Sequence, residues 1–181
     1  MRKLRDFGAG ERVPNYVYVV IEISLNSDVE YVYDEDLDMF RVERVLDPEM
    51  RYPFNKGFIP GTLDVNEKPL GAIVLSSRSF IPGFLVEARP IGFIELSYEE
   101  GLEHVIISVP RERIDPLYAN VKSLGELSEH IRSSIENFYE KYKRYNPEKS
   151  FKLNRWGEVG EAREIILESV KRALSSRNQK I

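Results

Sequence analysis

The spacing of apolar residues changes once along this chain, near Pro116, and the change restricts the fold to strands first and helices last. Before Pro116, short runs rich in Val, Ile, Tyr and Phe predict strands over 16–23, 30–33, 39–45, 72–76, 84–97 and 104–109. The second and third flank the acidic turn Asp34-Glu35-Asp36-Leu37-Asp38 and read as a hairpin. Pro90 and Gly92 predict a bend in the longest strand, because proline cannot donate to a ladder and glycine permits a kink. From Leu46 to Leu70 four prolines and two glycines erase the periodicity, which predicts a long ordered loop packed by its aromatics.

After Pro116, Leu124, Leu127, Ile131, Ile135, Phe138 and Tyr142 recur at three- and four-residue steps. This is the stripe of an amphipathic helix ending near Tyr145, with Ser123 and Glu126 as a capping box at its entrance and Pro147 just beyond its end. A second helix is predicted over 159–174, with Ala162, Ile165, Ile166, Val170 and Ala173 on one face, and residues 175–181 read as a solvated tail. The fold class is α+β: a small, closed or nearly closed antiparallel β-barrel flanked by two C-terminal helices. At 181 residues and 42% hydrophobic content the chain can bury one sizeable core, so one domain is expected over 1–181.

A net charge of −4 gives no basic excess for nucleic acid, and nucleic-acid binding is not expected. The absence of cysteine excludes disulfides, thiolate catalysis and cysteine-ligated metals, and it fits a reducing interior. No apolar run approaches the roughly 18 residues of a membrane span, and residues 1–6 lack the apolar segment of a secretory signal, so a cytoplasmic location is expected. Abundant Glu, Lys and Arg without Cys is also a composition met in heat-adapted proteins. His104 and His130 have no second histidine at ligand spacing and read as surface or core residues.

Three segments carry a resemblance: Tyr16-Val-Tyr-Val-Val-Ile-Glu-Ile23, Tyr52-Pro-Phe-Asn-Lys-Gly-Phe-Ile-Pro60 and Glu87-Ala-Arg-Pro-Ile-Gly92. Together they resemble the soluble family I inorganic pyrophosphatases from about Gly8 to Leu174. The resemblance implies a five-stranded, OB-like barrel, an oligomeric protein, and a DGDPxD motif whose aspartates hold divalent metals and activate water. Where that motif should stand, this chain has Asn66-Glu67-Lys68-Pro69-Leu70-Gly71, with Asn66, Lys68 and Gly71 in place of the three aspartates. Other matched positions also change: a phosphate-binding lysine becomes Glu30, a metal-binding aspartate becomes Tyr98, and a lysine becomes Val105. What the resemblance retains is Glu22 and Glu103 as residual metal candidates, and Arg44, Tyr52, Tyr142 and Lys143 as anion-binding candidates, joined by the new cations Lys56 and Lys68.

Magnesium requires hard oxygen ligands, and Asn66 supplies one neutral oxygen, Gly71 none and Lys68 a positive charge. Over the matched positions three carboxylates face four cations, so the pocket is expected to be slightly cationic without metal, with Lys68 near the metal position, pairing with Glu22 or holding an anion. The leading expectation is therefore a homologue without hydrolase activity and without a cofactor, binding phosphate, pyrophosphate or another small anion. It is expected to form a homo-oligomer or to join an active paralogue, away from any membrane. The alternative is an active magnesium-dependent inorganic diphosphatase, or another phosphoanhydride hydrolase, with a rearranged metal site. In that alternative Asp64 or Glu67 would have to take over from the lost aspartates. Trp156 is expected to anchor the second helix.

Overall fold

Val and Ile side chains buried on both faces make Val17–Ile23 (β1) an interior strand, and the rest of the sheet grows from it. The computed structural model describes residues 4, 7–99, 101–146 and 151–178. The other strands are Val29–Asp34 (β2), Met39–Val45 (β3), Asn55–Ile59 (β4), Leu70–Val74 (β5), Leu85–Tyr98 (β6), Gly101–Pro110 (β7) and Phe151–Glu158 (β8). Two helices follow from the heptad-like stripe, Glu129–Tyr145 (α1) and Val159–Asn178 (α2). Pro147, expected to close α1, and residues 179–181 of the expected tail lie outside the described residues.

Five strands pair in the order β1-β4-β5-β7-β6, and β6 returns to β1, so the hydrogen-bonded ladder closes into a ring. The ring is the expected OB-like barrel with one departure from antiparallel pairing: β5 and β7 run parallel, Gly71 opposite Val105. β8 extends the ring as a sixth strand on β6, and β2–β3 form the predicted hairpin as a separate two-stranded sheet. The register shift between Pro90 and Gly92 is the predicted bend. At Gly92 a Cβ would stand 2.5 Å from Leu124 Cδ1, so glycine is what lets Leu124 and β8 close over the strand.

Alternation along the strands sends successive side chains to two cores. One gathers Ile73, Ile91, Ile94, Leu96, Val105 and Ile107 with Ile135, Phe138, Tyr139 and Tyr142 of α1. The other gathers Val17, Val19, Leu70, Ala72, Phe93 and Ile106 with Ala162 and Ile166 of α2. The segment before β4 is packed by its aromatics, Tyr52 and Phe54 standing 4.5 and 5.4 Å from Phe138. The capping box of Ser123 and Glu126 heads a one-turn 3-10 helix at Leu124–Glu126, and α1 starts afresh after Ser128. Trp156 lies on β8 and donates to Glu136 of α1, so it ties the first helix to the sheet rather than anchoring the second. Among the described residues no helix is long and apolar enough to cross a membrane.

Candidate active site

Adjacent strands of the ring bring Glu22, Lys56 and Glu103 together. Ile23 of β1 pairs with Lys56 of β4, and Gly71 of β5 pairs with Val105 of β7, two residues beyond Glu103. Burial pushes the Glu22 carboxyl up from its ordinary pKa; the N–H of Tyr33, donating at 3.0 Å, and the Lys56 ammonium pull it back, and the Glu103 carboxylate adds to the rise. A Cβ at Gly71 would stand 3.7 Å from Glu103 Oε1, so the missing aspartate at 71 leaves room beside a carboxylate. Tyr98 donates its hydroxyl to Glu103, and burial first, then that carboxylate, hold its proton on far above neutral pH. Tyr139 is raised in the same way.

Arg44 organises the adjoining wall. Its Nε donates to Glu30 at 2.7 Å, Nη1 donates to Asn146 Oδ1, and the guanidinium lies 5.6 Å from the Tyr142 ring. Glu30 also accepts the hydroxyl of buried Tyr52. Lys143 is exposed in the last turn of α1, where a cation suits the negative end of the helix dipole.

The turn that replaces the aspartate motif is turned to other uses. Asn66 Oδ1 accepts the Lys68 N–H at 3.1 Å, the Lys68 carbonyl accepts from Asp64 N at 2.8 Å, and Glu67 adopts a positive φ of 63°. Glu67 and Lys68 are exposed. The cation acting on Glu22 is Lys56. Asp64 is 2% exposed and committed elsewhere: His104 donates its backbone N–H at 2.7 Å, and its Nδ1 stands 2.8 Å from the carboxylate. Burial would raise the Asp64 pKa, but those hydrogen bonds outweigh it and hold the acid below its ordinary value. His104, expected to be isolated, is thus the half-buried partner of buried Asp64, and His130 is exposed on α1.

Two members of the wall were not singled out from the sequence. Tyr139 lies one turn before Tyr142, a spacing that shares a helix face, and Asn146 stands at the helix C-cap, where its side chain is free to turn back.

Among the described residues no group of three or more His, Asp or Glu converges as a metal cage. Magnesium, however, keeps several waters and is often held by one or two carboxylates together with substrate phosphates. Glu22, whose proton affinity the Glu103 carboxylate raises, and Glu103, which borders the space at Gly71, fit that mode.

The inorganic pyrophosphatase family model matches residues 19–174. The chain is 44% identical over 165 residues to an inorganic pyrophosphatase of Saccharolobus solfataricus, covering 91% of this chain and 96% of that protein. It is 38% identical over 165 residues to one of Aeropyrum pernix, covering 91% and 94%. The crystal structure of the Thermus thermophilus inorganic pyrophosphatase superposes with a TM-score of 0.90 at 31% identity, covering 94% of this chain and 98% of that one. These matches correct two expectations, that the chain is an inactive subunit and that it needs no cofactor. Likeness at 38–44% identity to proteins named inorganic pyrophosphatase runs through 90–91% of the chain, beyond what a shared scaffold requires. The physical reason is that losing three aspartates does not by itself abolish a magnesium site, since the retained pair Glu22 and Glu103 can share a metal with phosphate oxygens and water. The chain belongs to the inorganic pyrophosphatase family.

Proposed function

We propose that this protein hydrolyses inorganic pyrophosphate with magnesium, through a metal site rebuilt around Glu22 and Glu103. The observation that carries the reading is 44% identity over 91% of the chain to a protein named inorganic pyrophosphatase, joined to a carboxylate pair at the closed ring. Bound magnesium would neutralise phosphate oxygens and make a water more acidic. Glu103, oriented by the Tyr98 hydroxyl, would supply one oxygen donor. Glu22, whose proton affinity burial has raised, would take the proton of the attacking water. Lys56, Arg44 and Lys143 would meet the phosphate charges, with Tyr52 and Tyr142 shaping the wall.

Cytoplasmic residence and assembly into homo-oligomers belong to the same reading, the first supported by the cysteine-free composition and the second by exposed Ile81, Phe84 and Leu85. The test is phosphate release from pyrophosphate by the purified protein with and without magnesium. Release that needs magnesium and falls on the order of 100-fold in Glu22→Gln is expected, since a general base contributes about that much. No release from the wild type, or release unaffected by Glu22→Gln and Glu103→Gln alike, would refute it.

A further inference from the structure

Arg44 is the one guanidinium among the matched anion candidates, and its planar fork suits a phosphate better than any of the three lysines does. That fork is already engaged. Glu30 sits directly across the hairpin in the register, beside the β-bulge between Glu30 and Tyr31, and holds Arg44 Nε at 2.7 Å. The carboxylate is itself fixed: Glu30 is 6% exposed, and its other oxygen accepts the hydroxyl of Tyr52, 2% exposed and packed against Phe138. Asn146 completes the clamp through Nη1, and its own amide is pinned to the Tyr142 carbonyl at 2.8 Å.

We propose that Glu30 is a specificity-determining residue that competes internally for Arg44, so that a phosphate group gains the guanidinium only by displacing the Glu30 carboxylate. The inference rests on the pyrophosphate reading for its ligand class, inorganic phosphate and diphosphate anions, and not for its geometry. The carboxylate occupies the same donors a phosphate oxygen would use, and it carries the same sign of charge. Bound anion and bound Glu30 are therefore alternatives, and apparent affinity is reduced by the fraction of Arg44 that Glu30 holds. The effect falls on free anions first, because an oxyanion already neutralised by a cation loses less to the carboxylate next to it.

The experiment is calorimetric titration of the whole protein with pyrophosphate, without metal and so without turnover. The variants are Glu30→Gln, Arg44→Gln and the double variant, each checked for an intact thermal transition. Glu30→Gln is expected to bind pyrophosphate about tenfold more tightly than the wild type, the size of one charged hydrogen bond released for use. Arg44→Gln alone should weaken binding, because it leaves the Glu30 carboxylate unpaired beside the anion, and in the double variant the gain over the wild type should vanish. Should Glu30→Gln fail to fold, Glu30→Leu replaces it, since an apolar side chain of similar length needs no partner in a buried site. Unchanged or weaker binding on removing Glu30, or a gain that survives Arg44→Gln, overturns the proposal. Tighter binding by the Glu30 variants of a protein that shows no hydrolysis would leave the competition standing and sink only the pyrophosphatase reading.

Discussion

Replacing Asn55 by alanine removes a single side chain that ties Leu25 to the stretch 74–80 through four backbone groups. Its Oδ1 accepts from Leu25 N at 3.0 Å and Phe80 N at 2.8 Å, while Nδ2 donates to Val74 O at 3.3 Å and Arg78 O at 3.0 Å. The residue is 0% exposed, so little water can stand in for it. Four hydrogen bonds at a net value of about 1 kcal/mol each give a loss of about 4 kcal/mol. Against a typical total of about 5–15 kcal/mol, that is a large share of the stability. At about 2–4 °C per kcal/mol for a chain of this size, the midpoint should fall by about 8–16 °C. Urea unfolding followed by circular dichroism measures the first quantity and a thermal scan the second, both at one fixed protein concentration.

Asn55→Asp is the sharper control. It keeps both accepted bonds but turns a carboxylate oxygen toward the Val74 and Arg78 carbonyls, so at neutral pH it should be no more stable than alanine. Burial beside two carbonyls raises the folded-state pKa of the new acid above its unfolded value, so its penalty is present at high pH and is relieved as pH falls through the folded pKa. A loss below about 1 kcal/mol for Asn55→Ala, or wild-type stability for Asn55→Asp at pH 7, would refute the hydrogen-bond accounting.

The folded-state pKa of Asp64 is lowered, so its contribution to stability is present above its unfolded pKa and lost as pH falls through the lower folded one; the stability gap between wild type and Asp64→Asn should therefore close below about pH 4, and a gap independent of pH would contradict the His104 pairing. Gly57→Ala should destabilise by more than about 3 kcal/mol or prevent soluble expression, because its Cβ would fall 1.9 Å from the Val20 carbonyl at the β1–β4 pairing; an unchanged melting temperature would show that the strands can separate cheaply there. Tyr98→Phe should leave the fold intact but alter the magnesium dependence of phosphate release by freeing Glu103, and identical magnesium titrations for the two proteins would count against a role for that carboxylate.

Much of the fold could be read from side-chain spacing, and the gaps have physical causes. β3 matches its predicted range, since Met39–Val45 is bounded by a turn whose acids close it locally. β4 was hidden inside the expected loop because Asn55-Lys56-Gly57 is poor strand sequence; its place is imposed by pairing with β1 and β5, for which Gly57 is required. β8 lost its alternation at Asn154, the residue left over where Glu95 pairs with Arg155 and Leu96 with Leu153. The parallel β5–β7 pairing leaves no trace in side-chain pattern. At the candidate site the resemblance supplied the residues to inspect, but not their partners. That Glu30 engages Arg44, that Asp64 engages His104, and that Lys56 rather than Lys68 acts on Glu22 depend on contacts between segments distant in sequence.

The closure of the ring also sets an order of events for the newly made chain. Val17 finds its partner Ala88 only after the intervening hairpin, loop, β4 and β5 have been made, and Phe93 meets Gly157 later still. β6 therefore acts as the late keystone, and until it arrives β1 has an unpaired edge. Loops of this length are entropically costly to close before the contacts that reward them exist, so folding should be slow for the protein's size and should proceed in one concerted step around β6. A chain halted before β6 would leave the β6-facing edge of β1 unpaired, a template for aggregation.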